Sequence, residues 1–148
     1  MNLTSWICTA LMRIGTRMVT GFDQHFAPLD ITQAQFRLLL AVREQGGREG
    51  IAPSDLADYL FIERATVSVA ANRMVKQGWL ARRPGENRRT YLLALTEDGA
   101  KMLEGAVPRA VALADHTLSG IPLTQLQEMR ENLELIETRL REYTPPAD

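Results

Sequence analysis

The segment from Pro53 to Leu95 constrains the fold of this chain more than any other. Pro53, in Ala-Pro-Ser-Asp-Leu, suits the first position of a helix, where its missing N–H costs nothing, so a short helix is expected from Pro53 to about Tyr59. After a turn over Leu60 to Glu63, a second helix is expected from Arg64 to Gln77. Its Val67, Ala71, Met74 and Val75 fall on an inward side and Arg64, Ser68, Asn72 and Lys76 on the other, before Gly78 stops it. Two short helices across a tight turn make a helix-turn-helix. Immediately afterwards, Trp79 to Arg83 and Thr90 to Leu95 read as strands, and Pro84-Gly85-Glu86-Asn87 supplies turn chemistry between them. The result is a β-hairpin with arginines on both sides of its tip.

The flanking sequence is helical. Leu3, Ile7, Leu11, Ile14 and Met18 recur at three- and four-residue steps, which predicts an amphipathic helix over residues 3 to about 24 whose apolar stripe needs a partner. Thr32 and Gln35 form a capping box, with Ile31 placed to staple against Phe36, so another helix runs from Gln33 to about Gln45 and stops at Gly46-Gly47. Thr96 can cap a helix beginning at Glu97, which Pro108 is expected to kink or divide. Pro122 opens a last helix in which Leu126, Met129, Leu133, Ile136 and Leu140 form a coiled-coil-like seam. The fold class is therefore mainly α with one small hairpin, and residues 1–148 read as a single domain. A hydrophobic fraction of 45% with only 7 Pro and 10 Gly is that of a globular chain, not a disordered one.

Charge gives the first indication of a partner. The formal net charge is −1, yet from Glu63 to Tyr91 the bases Arg64, Arg73, Lys76, Arg82, Arg83, Arg88 and Arg89 face only Glu63 and Glu86, a local excess of +5. From Leu92 onward the acids, Glu97, Asp98, Glu128, Glu131, Glu134 and Glu137 among them, outnumber the bases. A basic middle between acidic ends is the footprint of a nucleic-acid surface, although charges also simply solvate exposed faces. The longest apolar stretches, such as Phe36 to Val42 interrupted by Arg37, fall short of the ~20 residues of a membrane span. The N-terminus lacks the pattern of a secretory signal, and the lone Cys8 cannot form an intrachain disulfide, so a cytoplasmic location is expected.

From Ile31 to Gly99 the chain resembles the MarR (multiple antibiotic resistance regulator) family. The matching residues are Leu29-Asp30-Ile31-Thr32-Gln33, Ser54-Asp55-Leu56-Ala57, Thr66-Val67-Ser68 with Arg73-Met74 and Gly78, Arg88-Arg89, and Leu95-Thr96 with Gly99. The resemblance implies a winged helix-turn-helix over about 31–99 and dimerisation helices over about 3–24 and 97–143. It implies a cytoplasmic, homodimeric transcription regulator of double-stranded DNA, a repressor acting at a pseudo-palindromic operator. Independently, an α-helix fits the major groove of B-DNA and a hairpin arginine can enter the minor groove. Arg64, Thr66, Ser68, Val69, Asn72 and Arg73 on the helix, with Arg88 and Arg89 on the wing, are the candidate DNA-binding residues. Two departures stand out: Asn87 replaces the wing aspartate, and Val69 stands where many relatives have arginine. Valine offers only apolar contact, for example with a thymine methyl.

Many MarR relatives release DNA on binding a small, often aromatic or phenolic effector in a crevice between the dimer helices and the winged helix. Arg17, Phe22, Phe26, Phe36 and Arg37 are the candidates for such a crevice, and they fit simple packing equally well. Cys8 raises a redox-responsive alternative and His25 with His116 a metal-responsive one. Cys8 has no Lys, Arg or His nearby in sequence, and the two histidines lack clustered ligands, so no metal site or cofactor is expected. The spacings of a catalytic nucleophile and base, a metal cluster or a phosphate loop are missing, so an enzyme is not expected. A winged-helix module that binds protein is the remaining alternative, and the basic middle argues against it.

Overall fold

The computed structural model describes residues 2–147. Helix α1 (Leu3–Phe26) starts where the Asn2 side chain accepts the Ser5 N–H at 2.9 Å, satisfying a donor that the helix itself leaves unpaired. It runs slightly beyond the expected end, and its last residue, Phe26, is fully buried. A single 3-10 turn, Ala27–Leu29, leads to α2 (Gln33–Ala41). The capping box forms in both directions: Thr32 Oγ1 accepts the Gln35 N–H at 3.1 Å, and Gln35 Oε1 accepts the Thr32 N–H at 3.0 Å. Asp23 of α1 accepts the Gln33 N–H at 2.7 Å and so ties the two helices together at this corner. The α-helical part of α2 is shorter than expected, because Val42–Gly46 widens into a π-turn before Gly47.

Helix α3 (Pro53–Leu60) and helix α4 (Arg64–Lys76) form the helix-turn-helix. Phe61 holds the sharp turn between them in the left-handed region, at φ 58°, where the Ile62 N–H reaches back to the Ala57 carbonyl at 3.1 Å. Gly78 ends α4 at φ +83°. Its N–H bonds to the Val75 carbonyl at 3.1 Å, and the Trp79 N–H bonds to the Met74 carbonyl at 2.9 Å. This Schellman arrangement requires a residue tolerant of positive φ. Because Trp79 is still engaged by the helix, strand pairing starts one residue later than expected, in β1 (Leu80–Pro84) against β2 (Tyr91–Leu95). The hairpin gains a further rung where Ile51 exchanges backbone bonds of 2.9 and 2.8 Å with Leu93.

The core gathers Leu38, Leu39 and Val42 from the α2 region, Leu56 from α3, Val67 and Met74 from α4, and Leu80 and Leu93 from the hairpin. All are at most 2% exposed, and side chains of this kind each contribute about 1.5–3 kcal/mol on burial. The core fixes α4 against the hairpin by one face only.

Helix α5 (Glu97–Thr117) is capped by Thr96, whose Oγ1 accepts the Gly99 N–H at 3.0 Å and donates to the Gly78 carbonyl. A Cβ on Gly99 would lie 2.0 Å from the Trp79 carbonyl oxygen, so only glycine allows the helix to start this close to the end of α4. Pro108 does not divide α5, contrary to expectation. Pro108 and Glu104, whose carbonyl loses its helical donor there, both lie on the exposed side, where water can replace the bond.

The residues through Leu113 pack as one unit and those from Ala114 as a second. The second unit carries the end of α5 and α6 (Leu123–Glu142), with Pro122 at the N-cap position. On α6, Met129, Leu133 and Leu140 are 40%, 44% and 56% exposed, while Leu126 and Ile136 are half-buried. In the first unit, Ile7, Ile14 and Met18 of α1 are likewise exposed. Among the described residues, no helix is long and apolar enough to cross a membrane, and no group of three or more His, Cys, Asp and Glu gathers as metal ligands would.

Candidate nucleic-acid interface

At 100° per residue, burial of Val67, Ala71 and Met74 sends a definite set of α4 side chains outward. Val69 sits at the middle of the outward face and is 56% exposed; Thr66 and Arg73 lie on one flank and Asn72 and Lys76 on the other. Arg64 is exposed in the first turn. Ser68, expected to point outward, is half-buried, because its direction borders the side that packs on the core. Thr66, Val69 and Arg73 thus form a continuous row, and Ser68 does not belong to it.

The tip of the hairpin is organised by Asn87. Its Oδ1 accepts the Arg89 N–H at 2.9 Å, its own N–H bonds to Thr90 Oγ1 at 3.2 Å, and its carbonyl accepts the Thr90 N–H at 3.2 Å. The Gly85 N–H closes the turn on the Thr90 carbonyl at 3.2 Å. Asparagine commonly bonds to backbone two residues on, and here the neutral amide shapes the turn that the family's aspartate would occupy. Arg88 and Arg89 are both exposed, and neither belongs to an ion pair among the described residues.

Two further basic residues behave differently. Successive strand residues point to opposite faces, and Arg82 and Arg83 separate accordingly. The Arg82 guanidinium donates to Asn72 Oδ1 on α4 and lies over the Tyr91 ring, 5.3 Å from its centroid. The Arg83 guanidinium donates to the Arg48 carbonyl on the other side. Of the seven bases in the segment, two are therefore hydrogen-bonded within the protein, and Asn72 is engaged by one of them. Sequence reasoning did not select Arg82. The signal was the strand period: Arg82 shares its face with the core residue Leu80, and so looks toward the helices.

The candidate effector residues divide into two groups. Phe22, Phe26 and Phe36 form a run of tilted ring contacts, with centroids 5.8 and 4.7 Å apart. Phe26 and Phe36 are core residues, 0% and 7% exposed, whereas Phe22 is half-buried and Arg17 and Arg37 are exposed. Cys8 is exposed on α1. His25 lies in the last turn of α1, where its carbonyl accepts from Arg109 at 3.2 Å, and His116 lies in the last turn of α5.

Comparison with known proteins agrees with this geometry. The MarR family model matches residues 29–90, which span the helix-turn-helix and the wing tip. The multiple antibiotic resistance protein MarR of Escherichia coli is 32% identical over 122 residues, covering 82% of this chain and 75% of that protein. The HTH-type transcriptional regulator PecS of Dickeya dadantii is 26% identical over 131 residues, covering 88% and 79%. Among solved structures, Bordetella bronchiseptica BpsR, described in a mechanism for regulation of its DNA binding by 6-hydroxynicotinic acid, superposes with a TM-score of 0.76. It is 27% identical and covers 93% of this chain and 98% of BpsR. With the six helices, the two-stranded wing and the family's residues in their expected places among the described residues, the chain belongs to the MarR family of transcriptional regulators.

Proposed function

We propose that this chain is a cytoplasmic, homodimeric repressor that binds a pseudo-palindromic operator and leaves it when a small effector binds. One observation carries the reading: α4 turns the row Thr66, Val69 and Arg73 to solvent beside a hairpin whose exposed tip holds Arg88 and Arg89. In this reading α4 enters the major groove, Val69 contacts a thymine methyl, and Thr66 and Arg73 bond to base edges or phosphates. Arg64 meets the backbone at the helix start, and Ser68 supports the helix from its flank. The wing tip enters the minor groove, where the potential is most negative. The exposed seams of α1 and α6 are covered by a second copy of the chain. For the effector, an aromatic acid is the favoured class, since BpsR responds to 6-hydroxynicotinic acid. Phe22 would offer it ring surface, Phe26 and Phe36 would support that ring from the core, and Arg17 or Arg37 would meet its carboxylate.

The test is a titration of DNA captured by the purified protein from its own genome, compared with random DNA over a series of salt concentrations. Binding to both should fall with salt, with a constant preference for the captured sequence. Binding that ignored salt, or that showed no preference, would refute the proposal.

A further inference from the structure

The helix and the wing that the proposed function brings to DNA are joined by more than the core. Arg82 stands on β1 opposite Leu93, so its side chain and that of Tyr91, diagonal to it across the strand pair, share one face of the hairpin. From that position the guanidinium donates to Asn72 Oδ1 on the outward flank of α4 while resting on the Tyr91 ring. A planar, always charged group with a fixed fork of donors can make both contacts at once; an ammonium cannot reproduce that geometry. On the opposite face, Arg83 donates to the Arg48 carbonyl, which anchors the hairpin from the other side. The strand that carries the wing is thereby held on both faces.

We infer that Arg82 is a positioning residue: it locks the wing to the recognition helix through Asn72 and Tyr91, and Asn72 serves as the acceptor of this lock instead of reading a base. The consequence rests on the DNA-binding reading above. Contact in the major groove by α4 and in the minor groove by Arg88 and Arg89 must be made simultaneously, and a wing held at one angle avoids the ordering cost of finding it on the DNA. Losing the lock therefore weakens binding to every sequence, whereas losing a base reader weakens it on the cognate site alone.

The experiment is a double-mutant cycle of Asn72→Ala and Arg82→Ala on full-length protein, with Arg82→Lys as the charge-preserving control. Each alanine variant should weaken binding to cognate and random DNA alike, by about 3- to 10-fold, the size expected of an exposed charge-assisted pair with a cation–π contact. The double variant should be no weaker than either single one, and Arg82→Lys should resemble Arg82→Ala. Effects that multiply, an Asn72→Ala loss confined to the cognate site, or an Arg82→Lys protein that binds like wild type would each overturn the inference. A second readout needs no DNA: backbone order parameters of the wing amides 85–90 should fall from about 0.85 toward 0.6 in both single variants and the double, with core amides unchanged. Unchanged wing amides would also overturn it. Loosened wing amides together with a wild-type protein that fails to bind DNA would refute the regulator reading and leave the lock standing.

Discussion

Thr96 joins three elements with one hydroxyl, and its removal should be felt in both stability and binding. Its Oγ1 accepts the Gly99 N–H at 3.0 Å at the start of α5 and donates to the Gly78 carbonyl just past the end of α4. Thr96→Val keeps the shape and deletes both bonds. Loss of the helix cap costs about 1 kcal/mol, and loss of the donor to a part-buried carbonyl about 1 kcal/mol more, so destabilisation of about 2 kcal/mol is expected. For a chain of this size each kcal/mol lowers the melting temperature by about 2–4 °C, giving a drop of about 4–8 °C. The assay is thermal unfolding at one fixed protomer concentration, because a dimer that unfolds to monomers melts in a concentration-dependent way. Thr96→Ser retains the hydroxyl and should recover most of the loss. A Thr96→Val protein that melts within about 1 °C of wild type would refute the reasoning that this hydroxyl holds α5 to the end of the recognition helix.

Arg89→Ala, at the exposed wing tip, should weaken binding to cognate and random DNA together and lower the salt slope by about 2 per dimer, near 0.9 for each phosphate released; unchanged slopes on both DNAs would remove the wing from the interface. Leu133→Glu on the exposed α6 seam should turn a dimer into a monomer by light scattering, and a variant that stays dimeric would show that the seam is not the contact. Cys8→Ser should leave DNA binding and any response to peroxide unchanged, since exposure without basic neighbours in sequence does not make a thiolate. Peroxide-induced release in the wild type that the serine variant abolished would contradict this.

The elements legible in the sequence were those written in local chemistry. The Thr32 and Gln35 capping box, Pro53 at the start of α3, Gly78 after α4 and Thr96 before α5 each act within a few residues, and each is found in its expected role. The misses arise from contacts at longer range. Strand β1 starts late because the Trp79 N–H completes the end of α4, and α5 runs on through Pro108 because the unpaired carbonyl faces water. Phe26 and Phe36 are read equally well as crevice or core from spacing alone, and only the packing of α1 on α2 buries them. Asn72 looks like a free polar residue on a helix until the hairpin folds back and brings Arg82 to it. The outward row of α4 follows from periodicity, but its membership needed the burial of Ser68 to be known.

The central claim is that two copies of α4 and two wing tips meet DNA with two-fold symmetry. Hydroxyl-radical footprinting on the captured genomic DNA, with the stoichiometry measured in the same preparation, tests it most directly. One dimer should protect two related half-sites centred ~10 base pairs apart, with minor-groove protection from each wing. A protected segment without related halves, or one chain bound per site, would contradict the account.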